Sequence, residues 1–335
     1  MVTHPDAIWA LSWTSADRLI SGCADGHIRV YDPSDLTVPL QDIHANPLAI
    51  SSLATSSDGR YALSGSLDGT VALLDLESGE EVGKSDTGRE KIGDTTLPAF
   101  ACAVHPSLSC WAWSGRSSKL GFRTIPKDSI SKIITEDING QGESSFNPLS
   151  GEARVIDTGK GKFGMDVKFS PDGQSLALAT ESGQIMIVDV ETGEVLATYT
   201  SHAMAVRTIS WSEDSQWLFS GSDDHRIVIH DVRAGSKSGQ TRGEGAVAIL
   251  QGHQSWVLRV SAGPDGKLLG SGGADNMVKL WDIGQRSCVS TIQTSSEVWG
   301  LDWQPASVGG SGVGKQFAIA GEDKMVTIYR AAGSS

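Results

Sequence analysis

His253, Ser271 and Asp275 fall within one short stretch of a 335-residue chain. A histidine, a serine and an aspartate are the parts of a hydrolytic relay, in which the imidazole takes the serine proton and the carboxylate orients the imidazole. With Trp281 added, the same side chains can instead form a buried hydrogen-bonded tie. The indole can only donate, the hydroxyl donates and accepts, and a neutral imidazole bridges hydroxyl and carboxylate. Copy number separates the two readings: a relay needs one intact copy beside an oxyanion hole, whereas a structural tie recurs.

It recurs. "SGGADNMVKLWD" at Ser271 to Asp282 has close copies in "SGCADGHIRVYD" from Ser21, "SGSLDGTVALLD" from Ser64 and "SGSDDHRIVIHD" from Ser220. Weaker copies start at Ser114, Leu178 and Ile319, making seven in all. Their spacing of about 40 to 60 residues is that of a propeller. The set reads His4, Ser21, Asp25 and Tyr31 in the first copy and His44, Ser64 and Asp68, without an aromatic, in the second. It reads His202, Ser220 and Asp224, ending in His230, in the fifth, and is complete only in the sixth. The third and fourth copies carry Ser118 and Ser182 where the aspartate would stand. Uneven decay of this kind is expected of packing, so no catalytic residue and no enzyme activity is predicted.

The elements around each copy are strands. "RYALSGSLDGTVALLDL" reads as two buried strands joined by an Asp-Gly turn, with a strand such as "AVRTISWS" before and one such as "EVLATYTS" after. Four short strands in each of seven copies predict an all-β, seven-bladed WD40 β-propeller of four antiparallel strands per blade. Blades of this size bury one another's faces, so residues 1–335 are read as one domain, with an inserted loop at about 125–157 that includes the outer strand "GEARVID". Only "MVT" precedes His4 and only "RAAGSS" follows Tyr329. The closing blade is therefore expected to have three strands and a bare edge at about Val326 to Tyr329, unless the natural chain starts further upstream.

Composition narrows the function. Twenty-seven basic against forty acidic residues give a net charge of −13, and no basic patch is evident, so direct nucleic-acid binding is not expected. No stretch reads as a membrane span or secretory signal, which points to the cytoplasm and nucleus. Cys23, Cys102, Cys110 and Cys288 are scattered and read as reduced, mostly buried thiols. His27, His105 and His225 read as surface residues without zinc spacing, and "GGSGVGK" lacks the full phosphate-loop form, so no metal or cofactor is predicted.

"HAMAVRTISWSEDSQWLFSGSDDHRIVIHDV", "HQSWVLRVSAGPDGKLLGSGGADNMVKLWDI", "EVWGLDWQ" and "DAIWALSW" resemble the WD-repeat subunits of the Ski complex, whose animal form also joins the Paf transcription-elongation complex. The resemblance runs the length of the chain, is strongest from Ser201 to Gly300 and is absent in the inserted loop. It implies a non-catalytic scaffold in exosome-dependent cytoplasmic 3′–5′ mRNA decay, with TPR-repeat and helicase subunits as partners. It further implies a top face that holds short Arg-plus-hydrophobic motifs and, in fungi, a meiotic topoisomerase-like endonuclease. Alternatives are an adaptor of the Paf complex, of meiotic recombination initiation or of a ubiquitin ligase.

In such blades the residues three and five positions after the blade histidine, and the one before the turn aspartate, face the narrow end of the ring. Trp9, Phe100, Phe163, Met165, Arg207, Trp256, Leu258, Trp299 and Glu297 fall at these positions or their aligned equivalents. Three Trp and two Phe at strand starts predict a partner-binding surface. A rim of Asp6, Glu181, Asp223, Glu297 and Glu322 is expected to receive a basic group of the partner.

Overall fold

The computed structural model describes residues 4–92, 95–116, 119–126, 147–158, 163–235, 245–306 and 316–330. Among the described residues seven antiparallel blade sheets follow one another along the chain, six of four strands and the last of three, each in simple meander order, besides one two-stranded hairpin. Blade 1 consists of Ile8–Trp13, Leu19–Cys23, His27–Tyr31 and Gln41–His44. The inner strands of blades 2 to 6 are Ile50–Thr55, Ala99–Val104, Gly164–Phe169, Val206–Trp211 and Val257–Ala262. Blade 7 has Val298–Trp303, Gln316–Gly321 and Val326–Arg330. Each inner strand packs on the next, and that of blade 7 returns to that of blade 1. The fold is the seven-bladed WD40-type propeller, and among the described residues the last blade has three strands, ending in Val326–Arg330.

Hydrophobic pattern explains why the ring forms. Second strands such as Tyr61–Ser66 are buried at every residue, as befits a sheet covered on both faces, while the outer strand Ser287–Gln293 is largely exposed. Apolar clusters form between blades: Ile20, Ile28 and Val30 of blade 1 pack with Ile50, Leu53 and Leu74 of blade 2. Ile8, Leu11 and Trp13 likewise pack with Ala318, Ala320 and Val326 of blade 7, which closes the ring. Burying each such Ile or Leu contributes about 1.5–3 kcal/mol, and neither blade of a pair can bury it alone.

Polar ties reinforce the closure. Asp302 of blade 7 accepts hydrogen bonds from Trp13 N at 2.9 Å in blade 1 and from Ser261 Oγ at 2.9 Å in blade 6. Asp166 of blade 4 accepts from Ile209 N of blade 5 at 3.0 Å. The Ser52 hydroxyl of blade 2 exchanges bonds with the backbone of Cys102 in blade 3 at 3.2 Å. The sequence reading missed these residues, although a signal was there: Asp and Ser alternate with apolar residues on strands that otherwise read as core.

The connections between blades hold further detail, and one expectation, that of mostly buried thiols, is corrected at Cys288. The stretch "SDTGREKIGDTTLP" between blades 2 and 3 carries an additional small hairpin, Lys91–Ile92 with Thr95–Thr96. Cys288 is exposed on an outer strand, whereas Cys23 and Cys102 are buried. The outer strand of blade 3, Ala153–Asp157, lies within the segment read as inserted, of which residues 127–146 lie outside the described residues, as do Ser118 and the stretch "GGSGVGK".

Candidate partner-binding site

The hydrogen-bonded sets sit between the strands of single blades. In blade 6, His253 Nδ1 lies 2.9 Å from Asp275 Oδ2, Ser271 Oγ is 2.8 Å from His253 Nε2, and the Trp281 indole donates to Ser271 Oγ at 2.8 Å. Burial pushes the Asp275 carboxyl up, but hydrogen bonds from His253 and from the Gln254 and Met277 N–H groups outweigh it and hold it below the usual carboxylate value. This is the geometry of a hydrolytic relay, yet Ser271 is 0 % exposed and its oxygen is engaged by the indole. No substrate carbonyl can reach it.

Blade 5 repeats the arrangement with His202, Ser220 and Asp224, and His230 Nε2 stands 3.0 Å from Ser220 Oγ in the place of the indole. The His230 ring stacks on Tyr199, with centroids 4.7 Å apart. Among the described residues its buried Nδ1 has no hydrogen-bond partner. Burial, reinforced by the charge of His202, depresses its pKa to about 3.

Two predicted members do not join their sets. His4 Nε2 meets Ser21 Oγ at 3.0 Å and the Tyr31 hydroxyl at 2.9 Å, but Nδ1 turns to the Lys324 carbonyl of blade 7, and Asp25 pairs with Arg29 at 2.9 Å. Arg29, present only in this copy, draws the carboxylate away. His44 is exposed on the outer strand and lies against His27, with ring centroids 4.8 Å apart and the planes tilted by 46°. Asn46, two residues on, accepts the Ser64 hydroxyl at 2.9 Å and donates to Thr70 Oγ1 at 2.7 Å, while Asp68 accepts from Thr70. In blade 4, Ser182 meets the Thr180 hydroxyl at 3.0 Å.

One local irregularity shapes the mouth of the ring. In every blade the pairing of the inner strand with its neighbour shifts register across the second residue of that strand. An extra residue at such a bulge is released from the ladder and its side chain is re-aimed. The seven residues are Trp9, Ser51, Phe100, Met165, Arg207, Leu258 and Trp299, and all seven line a single cavity of about 290 Å³. Trp256 and Glu297, each two residues earlier than a bulge residue, line it too. Phe163 stands beside it, edge to face with Phe100 at 5.0 Å, and lines an adjoining cleft of about 550 Å³ with Arg89 and Arg116.

The polar groups of the mouth are largely committed to one another. Arg207 holds Asp223 through two bonds of 2.7 and 2.9 Å, and Asp223 is buried. Asp223 is therefore not a free acidic rim residue, which corrects the sequence reading. The Trp299 indole donates to Glu297 Oε2 at 2.9 Å and meets Trp9 edge to face at 5.8 Å. Trp256 is 44 % exposed, the largest apolar surface at the opening. Asp6, Glu181 and Glu322 are exposed outside the cavity lining. Among the described residues no group of three or more His, Cys, Asp or Glu side chains is disposed to hold a metal.

A ring of seven small sheets, tied internally by Asp, His, Ser and Trp and open to an aromatic mouth, defines a WD-repeat propeller. Four stretches of the chain, residues 1–32, 38–75, 193–231 and 245–282, match the WD domain, G-beta repeat family. Among whole proteins, the chain is similar to the meiotic recombination protein rec14 of Schizosaccharomyces pombe, 28% identical over 334 residues that cover 99% of this chain and 95% of that protein. It is 27% identical to the WD repeat-containing protein SL1-17 of Schistosoma mansoni, over 69% of each chain. It is 30% identical to the LEC14B protein of Lithospermum erythrorhizon over 44% of this chain, a match that spans only 31% of that protein.

Proposed function

We propose that this chain is a non-catalytic interaction scaffold whose mouth receives a short partner segment with an apolar or aromatic anchor. The observation that supports this most is the convergence of the bulge residues of all seven blades, with Trp256, on one cavity. Trp9, Trp256 and Trp299 would cover the anchor, with Phe100, Met165 and Leu258 completing the wall, and burial of aromatic surface at such a centre supplies most of the binding energy. A basic residue of the partner would meet Glu297 and Glu322, since Asp223 is already held by Arg207.

The particular reading is the WD-repeat subunit of a Ski-type complex, acting in exosome-dependent mRNA decay in the cytoplasm and bound to TPR-repeat and helicase subunits. It is supported by the resemblance of the blade 5 to 7 motifs and by the absence of a basic surface signal in a chain of net charge −13. A second reading, a nuclear role in meiotic recombination beside a topoisomerase-like endonuclease, is favoured by the near full-length similarity to rec14. Adaptor roles in the Paf complex or a ubiquitin ligase are further alternatives.

Affinity capture from a fungal lysate with wild type and a Trp256→Ala, Trp299→Ala double variant of equal melting temperature tests this. Recovery of a TPR protein and an RNA helicase by wild type alone supports the Ski-type reading and the mouth as its site. Recovery of the endonuclease from meiotic cells instead supports the second reading. Equal recovery by both proteins overturns the mouth as the binding surface.

A further inference from the structure

Below the mouth, two cations line the channel and take no part in the site described above. Arg259, the third residue of the blade 6 inner strand, borders both the mouth cavity and a second cavity of about 470 Å³ toward the other end of the ring. Lys168 of blade 4 borders that second cavity. Among the described residues the buried Arg259 Nε has no hydrogen-bond partner. Lys168 has Asp166 and Asp302 as charged neighbours, but among the described residues no ion pair joins either cation to a carboxylate.

Both carboxylates accept from other groups. Asp166 accepts from Val167 N at 2.9 Å and Ile209 N at 3.0 Å, one bond to each oxygen. Asp302 accepts on Oδ1 from Ser261 Oγ and Trp303 N, and on Oδ2 from Trp13 N and Ser12 Oγ. The Ser210 hydroxyl, also on the second cavity, accepts from Ala262 N at 3.0 Å and keeps its proton to donate. Of the carboxylates on the second cavity, Glu213 is exposed and Asp302 already takes bonds on both oxygens, while among the described residues the Arg259 Nε and the Lys168 amine keep donors that no carboxylate has taken. Buried donors without partners are costly, and cations more so.

We propose that the channel binds a small tetrahedral oxyanion of the phosphate or sulfate class, held by Arg259 and Lys168 with the Ser210 hydroxyl. A guanidinium takes two such oxygens in a fork, an ammonium takes a third as a point charge, and the hydroxyl completes the set. Burial in the channel lowers the Lys168 pKa, and a bound anion opposes that by favouring the charged amine. The proposal uses none of the residues assigned to the mouth wall, so it stands or falls apart from the scaffold reading.

The probe is inorganic phosphate, titrated into the full chain with chloride compensating ionic strength, and read by phosphorus NMR line width and by melting temperature. Wild type is expected to broaden the phosphate line and to gain melting temperature saturably as a bound ligand requires. Arg259→Gln and Lys168→Gln are each expected to weaken binding about tenfold or more, the loss of one charge-assisted contact, and Arg259→Lys to weaken it less. Should one glutamine variant fail to fold, the other, together with the wild-type line width, still decides the matter. An unbroadened phosphate line, or the same melting gain in wild type and both glutamine variants, as excluded salts produce at any surface, overturns the proposal.

Discussion

The Arg207 guanidinium lies 5.0 Å over the ring of Trp256 while its nitrogens hold Asp223 in a two-bond fork. The most exposed aromatic of the mouth therefore rests on a cation whose own position is set by a buried carboxylate. Removing Arg207 should act twice. Arg207→Ala leaves Asp223 buried and unpaired, at a cost of about 1–3 kcal/mol for a pair whose arginine remains partly in water, and it unseats Trp256. In a double-variant cycle with Trp256→Ala, urea unfolding should give a coupling of about 0.5–1 kcal/mol. Strict additivity would show that the stacking carries no energy.

Ser271 is the hub of the complete set, accepting from Trp281 and bonded to His253. Ser271→Ala strands an indole N–H and an imidazole nitrogen in a buried site, and a loss of about 1–3 kcal/mol is expected in chemical denaturation. Asp275→Asn, which weakens the far end of the same chain, should add less than its single effect when combined with Ser271→Ala.

His230 supplies a pH dependence with a definite sign. Its folded pKa of about 3 lies below the ordinary histidine value of 6.5, so the unfolded chain binds the proton more readily in between. Stability from this residue is present above about pH 6.5 and falls as pH drops toward the folded pKa, by at most about 1.4 kcal/mol per pH unit. His230→Gln, which keeps a donor toward Ser220, should flatten the melting-temperature profile between pH 6.5 and 4.5. Parallel profiles would assign the acid sensitivity to other groups, such as His4, whose pKa burial and Arg29 also lower.

The turn between the second and third strands has Gly26 and Gly69 at φ of 80° and 83° in blades 1 and 2, but His225 at 68° in blade 5. Side chains are strained in this left-handed region, and His225 is exposed. His225→Gly should therefore raise stability, by about 0.5–1 kcal/mol after the entropy lost by glycine is deducted. A lower melting temperature for the variant would mean that the imidazole makes a compensating contact.

Asp302 links three blades, and its loss should be felt at ring closure. Asp302→Ala frees the Trp13 amide of blade 1 and the Ser261 hydroxyl of blade 6. A loss of about 2–4 kcal/mol is expected from two or more buried donors left unpaired. Hydrogen exchange should show faster opening at Trp13 than at the equivalent amides of blades 2 and 3. Uniform acceleration around the ring would instead indicate global destabilisation.

The sequence by itself determined the blade. Alternating and continuous apolar runs, Asp-Gly turns and the recurrence of Ser, Asp and His are local properties, and each written copy carries them whether or not its neighbours are known. From them the propeller, its seven units and the three-stranded last blade were legible, and the complete set of blade 6 with its His230-ended variant in blade 5 as well. Tertiary structure decided what depends on competition between partners brought together from different strands and blades. Asp25 pairs with Arg29 rather than His4, Asn46 takes the position expected of His44, and Asp223 is consumed by Arg207, because each group takes the strongest partner within reach after folding. Only the closed ring could bring seven bulge residues, each from a separate blade, to one cavity, and set Arg259 and Lys168 on the wall of a second one.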